Sequence, residues 1–498
     1  MQLLTPDKIF DSEHLSRNLA QKSVRGGMAT MTSQGVLFVL HMIGTVVLAR
    51  LLTPTDYGLI GMVAVVVNFA AMFKTAGLSM ATVQKDEISH EQISTLFWVN
   101  VLISVGLGLC VLLGSPLVAL FYGKPELTAV TATLSISFII SGLSIQHSAL
   151  LRRHMRFDII AIVQIASQLF SLTVTIILAF YSWRYWALVG GSLTTAFSSV
   201  FLTFLFCPWV PGRVRRGTGV RDMLTFGGHL TGFSFVNYFS RNADNILIGR
   251  FVGADALGLY AKAYSIVYLP LINIRNPINS VAIPVLSSLK NDPERFRRYY
   301  AKIVFILAFV SMPIMAFCVV FPDELILLIL GSQWLAMTEI FRILAIAGFI
   351  QPVTGTRGAL LIACGESKLY LLQGAAAAVI VVTGFCIGVI WGAIGVATAY
   401  ALIAYCLQYP MFSIAFRHVP VSFRELLGNC WHVALISWLS ALCAKGIVVF
   451  VPGTEGLSLL WGCLAMGAIF GGVSLGVPAT RRCLRESIQI FKKGIASQ

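Results

Sequence analysis

The sequence predicts an all-α polytopic membrane protein of about fourteen transmembrane helices, built as two similar halves. Three observations carry this. Hydrophobic residues make up 57% of the 498 and charged residues only 11%, whereas about a quarter of a soluble domain is charged; mean hydropathy is +0.83. Apolar stretches of roughly twenty residues, each long enough to cross the hydrocarbon, recur from Met28 to Pro478. Finally, residues 48–59 (LARLLTPTDYGL) are echoed at a shift of 200 by residues 248–259 (IGRFVGADALGL), placing Arg50 on Arg250, Gly58 on Gly258 and Leu59 on Leu259. Upstream, Gly27 falls on Gly227. Three identities in twelve positions carry little alone. Both copies, however, sit where an apolar helix ends, turns tightly and starts another. Two similar membrane halves are the usual plan of a transporter that opens alternately to each side.

The elements follow in order. The first 25 residues contain Asp7, Lys8, Glu13, Arg17 and Lys22 and lack an apolar core with a small-residue cleavage site. No cleaved signal peptide is read, and the first span does the targeting. Residues 1–26 form a cytoplasmic segment in which Thr5 to Lys22 fits a short amphipathic helix on the membrane surface. Spans one to six run at 27–51, 57–80, 93–114, 127–151, 158–181 and 184–206, and a basic linker occupies 207–222. Spans seven to twelve run at 223–250, 256–287, 301–321, 338–363, 368–390 and 392–413. The last of these follows its predecessor almost without a loop, and the first two are polar for spans. Residues 323–336 are too short to cross and suit an interfacial helix on the outer face. Two further spans, 427–450 and 457–478, lie within the segment 414–478, and a basic tail occupies 479–498.

Basic residues set the expected orientation. Arg152, Arg153 and Arg156 follow span four; Arg213, Arg215, Arg216 and Arg221 follow span six. Lys290, Arg295, Arg297, Arg298 and Lys302 follow span eight, and Arg481, Arg482, Arg485, Lys492 and Lys493 follow span fourteen. The intervening loops hold little more than Arg50, Lys124, Arg184, Arg250 and Lys445. By the positive-inside rule both termini are cytoplasmic, as an even number of spans requires. The net charge of +15 is therefore chiefly a topology signal, with some attraction to anionic headgroups. Basic residues dispersed over many short loops do not indicate nucleic acid, and the loops leave no room for a soluble catalytic domain.

A charge at mid-bilayer costs about 2.5–3.5 kcal/mol on insertion scales, so embedded ionisable groups are the best clues to function. Lys74, Lys262 and Arg342 stand near helix ends, where they can snorkel to the interface. Arg241, Asp244, Arg275 and Arg357 do not. In span seven, Ser234, Asn237, Arg241 and Asn245 share one helix face, with Asp244 three residues beyond Arg241 and close enough to pair with it. That face suits either a polar helix–helix interface or the lining of a watery cavity. In span eight, Tyr264, Tyr268, Arg275 and Asn279 share a face, and Pro270, Pro277 and Pro284 recur every seven residues. Each proline removes a backbone donor, so the helix should be bent; the bend serves a cavity or static packing. Glu339 is placed to pair with Arg342, which leaves Asp244 as the clear embedded acid and the embedded balance cationic. A cationic cavity suits an anionic substrate such as one bearing phosphates, which arginine grips bidentately.

Motifs for other chemistry are missing. There is no GxxxxGK[ST] for ATP. The ten cysteines form no CxxC and no His accompanies them at ligand spacing, so neither disulfide framework nor metal site is indicated. His41, His147, His154, His229, His418 and His432 are scattered and read as packed or interfacial residues. No cofactor is expected.

The segments VLARLLTPTDYGLIGMV at 47–63, NADNILIGRFVGADALGLYAKAY at 242–264 and ATVQKDEISHEQISTLFWVN at 81–100 resemble the polysaccharide transporter family of the multidrug/oligosaccharidyl-lipid/polysaccharide (MOP) flippase superfamily, and within it the colanic-acid-type exporters. The resemblance runs over most of the chain in span pattern and loop placement. It implies two six-helix lobes, spans 1–6 facing spans 7–12 across a central cavity, plus two C-terminal helices beside a groove for a lipid tail. It also implies cavity cations for a pyrophosphate and its sugars, a role carried by position onto Arg241 and Arg275, with Lys74 and Arg357 beside them. Asn237, Asn245, Tyr268 and Asn279 complete the expected substrate face, and Asp244 is the candidate for ion coupling.

The function implied is a flippase moving undecaprenyl-pyrophosphate-linked oligosaccharide repeat units across the bacterial inner membrane, for exopolysaccharide or lipopolysaccharide synthesis. Its expected partners are that substrate, membrane lipids, and polysaccharide polymerase and export machinery. Two rival classes stay open. A polytopic polymerase or ligase would show a large outer-face loop bearing catalytic groups, and a multidrug exporter of the same superfamily would show several embedded carboxylates. Neither feature is visible in the sequence.

Overall fold

A computed structural model describes residues 19–74, 82, 88–214, 238–450, 455–478 and 480–481. The surface segment expected before residue 19, Ser234, Asn237, residues 215–222 of the linker and the basic tail apart from residues 480–481 lie outside the described residues. Among these residues eleven helices are long and apolar enough to cross a membrane, or up to twelve if the bent pair Glu126–Gly142 and Ile145–Arg153 is one span. The expected count of fourteen is not reached for two reasons. Much of span seven is outside the described residues, and spans eleven and twelve follow one another through a 3-10 turn, Val389–Trp391, without a loop, so that they count together as Ser367–Ala415.

The chain divides into two compact units, Met1–Gly258 and Leu259–Gln498. The first contains α1 (Leu19–Leu51), α2 (Pro54–Lys74), α3 (His90–Tyr122), α4 (Glu126–Gly142), α5 (Ile145–Arg153), α6 (Phe157–Phe180) and α7 (Tyr185–Phe206), then α8 (residues 238–251). Helix α3 pairs with α4 and α6 with α7, α1 packs on α6, and α2 lies against α3, α4 and α7. Sequence marks the helix ends. Ser89 and Gln92 form a capping box at the start of α3, and Gly123 ends it in the left-handed conformation at φ 66°. The apolar residues left outside this packing, Leu102, Leu113, Leu117 and Leu120 of α3 among them, form the surface that a bilayer solvates.

The two copies of the echo meet within this unit. Helix α9 (Ala254–Ser288) begins here, and its first turn crosses the first turn of α2. A Cβ on Gly58 would collide with the carbonyl oxygen of Ala254, and one on Gly258 with that of Pro54. Only glycine permits backbones to approach this closely. Thr55 Oγ1 donates to Asp255 Oδ1 at 3.2 Å across the same crossing, and Leu59 and Leu259 are both buried. The identities at Gly58/Gly258 and Leu59/Leu259 are thus packing requirements. The arginines of the echo stand apart from the crossing: Arg50 is in the last turn of α1, and Arg250 lies 5.8 Å from the ring centres of Phe121 and Phe251. Buried Asp56 organises the same corner, accepting from the Thr53 amide and hydroxyl at 3.0 and 2.7 Å and from the Tyr185 amide at 3.1 Å.

The residues after α7 fold back on the unit. Buried Trp209 donates from its indole to His90 Nδ1 at 3.2 Å and its carbonyl bonds His147 Nε2 at 3.0 Å. The Gly212 amide donates to Ser94 Oγ at 2.9 Å, and the Trp98 indole to the Gly212 carbonyl at 2.9 Å. Beside this strap, Gln146 joins Asn100 to Thr82 at 3.2 and 2.7 Å. Fully buried His147 is the packed residue its isolation in the sequence indicated.

The second unit continues α9 and holds α10 (Pro293–Val320), α11 (Pro322–Ile329), a 3-10 turn (Ser332–Met337), α12 (Thr338–Thr354), α13 (Thr356–Cys364), α14 (Ser367–Gly388), α15 (Gly392–Cys406), α16 (Gln408–Ala415), α17 (Phe423–Val449) and α18 (Glu455–Gly476). Helix α10 is central, packed on α12 and α17; α17 pairs with α18 and α14 with α15. Pro270, Pro277 and Pro284 all lie inside α9, as expected, without ending it. Helix α11 is the short element expected at 323–336, and it is tied down by charge. Lys445 donates to Glu324 and sits 4.8 Å from the Phe321 ring centre.

Two expectations about lone charges need correction. Arg342 pairs with Asp323 at 3.7 Å, where Glu339 was the expected partner, because α11 folds back alongside α12. Lys262 does not snorkel: it is buried, 5.9 Å from the Trp334 ring centre, a contact that partly offsets its desolvation.

Candidate substrate site

The tenth span continues through a single-residue junction in the second unit. Pro352 lies inside α12, and Gly355, itself helical at φ −63° and ψ −17° with its amide on the Gln351 carbonyl at 2.8 Å, joins it to α13. Proline removes one rung of the helical ladder and leaves one carbonyl without its helical partner. The junction is pinned from α10, where the Tyr300 hydroxyl meets Thr356 Oγ1 at 2.8 Å and Thr356 Oγ1 donates to the Val353 carbonyl at 2.6 Å.

Arg357, in the first turn of α13, borders a cavity of about 170 Å³. Its polar walls are Gln351 and Thr354 from α12, Arg357 from α13, Tyr400 from α15 and Gln408 from α16. The Arg357 Nε and Nη1 atoms are buried without a hydrogen-bond partner. An uncompensated buried charge costs several kcal/mol, so such a group calls for an explanation. A ligand anion would provide one. Arg275 of α9 comes to the same junction from the other direction. A Cβ on Gly355 would stand 3.0 Å from its Cδ and 3.2 Å from its Nη1, so this glycine makes room for the arginine stem.

A ladder of rings supports the cavity wall. Tyr264 and Tyr268 stack with centres 4.2 Å apart, and Tyr400 lies 6.4 and 6.1 Å from them and 6.0 Å from Phe385. Gln351 Nε2 donates to the Tyr400 hydroxyl at 3.4 Å. The tyrosine that presents its hydroxyl to the cavity is therefore held by three rings and one amide. Asn279, one helical turn beyond Arg275, has a buried carboxamide oxygen without a hydrogen-bond partner.

The structure brings four of the expected residues together in this unit: Arg275, Arg357, Tyr268 and Asn279. The others belong to the first unit. Arg241 is exposed on α8, whereas Asp244 is buried and accepts the Asn245 amide at 2.8 Å. The Asn245 carboxamide oxygen is buried without a partner, and Lys74 donates to Ser141 Oγ at 2.5 Å across to α4. Asn237 lies outside the described residues. Sequence reasoning missed Gln351, Thr354, Tyr400 and Gln408, which are uncharged and scattered over a stretch of 58 positions from 351 to 408. The available signal was the proline and glycine of QPVTGTR inside an apolar run.

The described residues make a polytopic α-helical chain with an echoed helix-turn corner in the first unit and a polar cavity in the second. Residues 47–339 match the polysaccharide biosynthesis protein family, and the chain belongs to that family. It is 29% identical to the teichuronic acid biosynthesis protein TuaB of Bacillus subtilis (strain 168), over 75% of this chain and 80% of that one. It is 23% identical to the lipopolysaccharide biosynthesis protein WzxC of Escherichia coli (strain K12), over 88% of this chain and 89% of that one. Among solved structures it is similar in fold to the lipid II flippase MurJ in an inward closed conformation, with a TM-score of 0.70 at 15% identity, covering 91% of this chain and 99% of that one.

Proposed function

We propose that this chain is a flippase for lipid-linked oligosaccharides. It moves undecaprenyl-pyrophosphate-linked repeat units from the cytoplasmic to the periplasmic leaflet of a bacterial inner membrane, for exopolysaccharide or lipopolysaccharide synthesis. The observation that carries the reading is the Arg357 side chain at a cavity of the second unit, with its Nε and Nη1 buried without a partner, in a chain of a polysaccharide biosynthesis family. Similarity to a teichuronic acid and a lipopolysaccharide biosynthesis protein, and in fold to a lipid II flippase, supports it.

In this reading the lobes are residues 27–206 and 223–413, joined by the 207–222 linker, and the spans of 414–478 sit beside the lipid tail. The headgroup passes through a cationic interior while the polyprenyl chain stays in lipid, and the lobes rock about a midplane site. Substrate must contact one arrangement better than the other, or its binding shifts nothing. Arg241 and Arg275 take the pyrophosphate, with Lys74 and Arg357 beside them, and Asp244 is the candidate group for coupling to an ion gradient. Both termini face the cytoplasm, and polymerase and export machinery receive the product.

The test is translocation of a lipid-linked oligosaccharide between leaflets of proteoliposomes. A hydrogen bond to a charged group contributes about 1.5–3 kcal/mol, so Arg275→Ala and Arg241→Ala should each slow translocation by roughly tenfold to a hundredfold. Unchanged rates in both variants would remove the pyrophosphate assignment. Sugar polymerisation by the purified protein without translocation would replace the flippase reading with an enzymatic one.

A further inference from the structure

We infer that the strap after α7 (residues 207–212) is a proton-released latch, docked on α3 and α5 while His90 is neutral and freed when His90 takes up a proton. The latch itself stands on the geometry of the first unit. Only its consequence, control of the 207–222 linker that joins the two lobes, rests on the flippase reading.

Two histidines grip Trp209, and they do so in opposite roles. An indole N–H only donates, so His90 Nδ1, 3.2 Å from Trp209 Nε1, must be unprotonated and accept. The proton of neutral His90 then lies on Nε2, which faces Ser94 Oγ at 3.4 Å. A carbonyl only accepts, so His147 Nε2, 3.0 Å from the Trp209 carbonyl oxygen, must carry hydrogen. An imidazolium carries hydrogen on both ring nitrogens. Protonation of His147 therefore leaves its bond to the strap in place. Protonation of His90 sets two donors against each other and removes the indole's bond. His90 is the sensor and His147 the fixed anchor.

The surroundings sharpen this contrast. His147 is fully buried among the rings of Phe97, Phe204 and Trp209, and the polar groups acting on it are the backbone of Trp209 and Leu143. His90 is exposed at the first position of α3, open to protons from solvent. Its ring touches both ends of the strap, since a Cβ on Gly212 would stand 3.0 Å from Nε2. Ser94 Oγ, which holds the Gly212 amide, donates back to the His90 carbonyl at 2.7 Å. The charged groups on the surrounding elements are Glu91 in α3, Arg213 beyond the strap, Arg152 and Arg153 at the end of α5, and the Arg156–Asp158 pair before α6. Arg153 is committed to the Thr82 carbonyl at 3.0 Å. Release frees Nδ1 to bind a proton that the docked strap excludes. By linkage, docking is complete at high pH and is lost as pH falls through the imidazole range, which for a free ring centres at about 6.5.

Hydrogen exchange of the full chain in lipid nanodiscs, at about pH 8 and about pH 5.5 and corrected for the intrinsic pH dependence of exchange, tests the inference. The amides of Trp209, Val210 and Gly212 should lose about tenfold protection at the lower pH, the equivalent of one hydrogen bond, while those of α6 and α7 keep theirs. His90→Gln offers the indole a carboxamide oxygen at either pH and should hold the strap at both. Trp209→Phe removes the donor and should also abolish the pH response. His147→Gln still donates to the carbonyl and should retain it. Equal wild-type protection at both pH values overturns the inference, as does a response that survives in both His90→Gln and Trp209→Phe. A response lost in His147→Gln but kept in His90→Gln overturns it too. Translocation by the same preparations separates the latch from the broader reading. Flipping with the strap equally protected at both pH values sinks the latch and leaves the flippase. A strap released at low pH in a protein that flips nothing sinks the flippase reading and leaves the latch.

Discussion

Gly58 and Gly258 are identical because each lies on the other helix's backbone, so any Cβ there must move a main chain. Forced overpacking costs about 1–3 kcal/mol in well-packed interiors. Gly58→Ala should therefore lower the melting temperature in detergent, although alanine is the better helix former by roughly 0.8–1.0 kcal/mol. Gly106→Ala is the control, since a Cβ there meets nothing within 4 Å; it should leave the melting temperature unchanged or raise it. Equal melting of the two variants would mean that the crossing relaxes without cost. At this scale the sequence was partly legible. Identity at a 200-residue shift picked out Gly58 and Gly258, but it could not say that the two residues touch. Contact between positions so far apart depends on helix trajectories that no local pattern records.

Among the elements, the strap after α7 has the most direct consequence. The sequence places residues 207–222 in a linker, yet Cys207 and Trp209 are buried and residues 209–212 are bonded to α3 and α5. Trp209 is surrounded by the rings of His90, Phe97 and His147, with centres 5.9, 6.0 and 5.1 Å away. Trp209→Ala removes that filling and the indole hydrogen bond to His90, and truncating a buried tryptophan costs about 3–5 kcal/mol. Hydrogen exchange should then show amides of residues 207–212 losing protection while those of α6 and α7 keep theirs. Loss of protection throughout the first unit would instead make Trp209 a global core residue. The composition of this segment (CPWVPGRVRR) reads as a loop because prolines and arginines dominate it. Its burial depends on two histidines supplied from residues 90 and 147, beyond the reach of any window.

For the whole molecule, the distribution of Arg and Lys predicts that short loops after spans four, six and eight face the cytoplasm. A reporter fused after Arg213 should report the cytoplasm, and one fused at Lys124 the periplasm; the opposite pair would invert the protein and the direction proposed for transport.

Much of the architecture follows from composition alone. Long apolar runs with few charges must be satisfied by their own backbone hydrogen bonds inside a bilayer, so they are helices wherever they lie. The echo further required two related corners. Which charges remain without partners was decided only by tertiary structure, because pairing depends on neighbours in space. Lys74 finds Ser141, Arg342 finds Asp323 and Lys445 finds Glu324, while Arg357, which the sequence places away from helix ends, has its Nε and Nη1 buried without a partner.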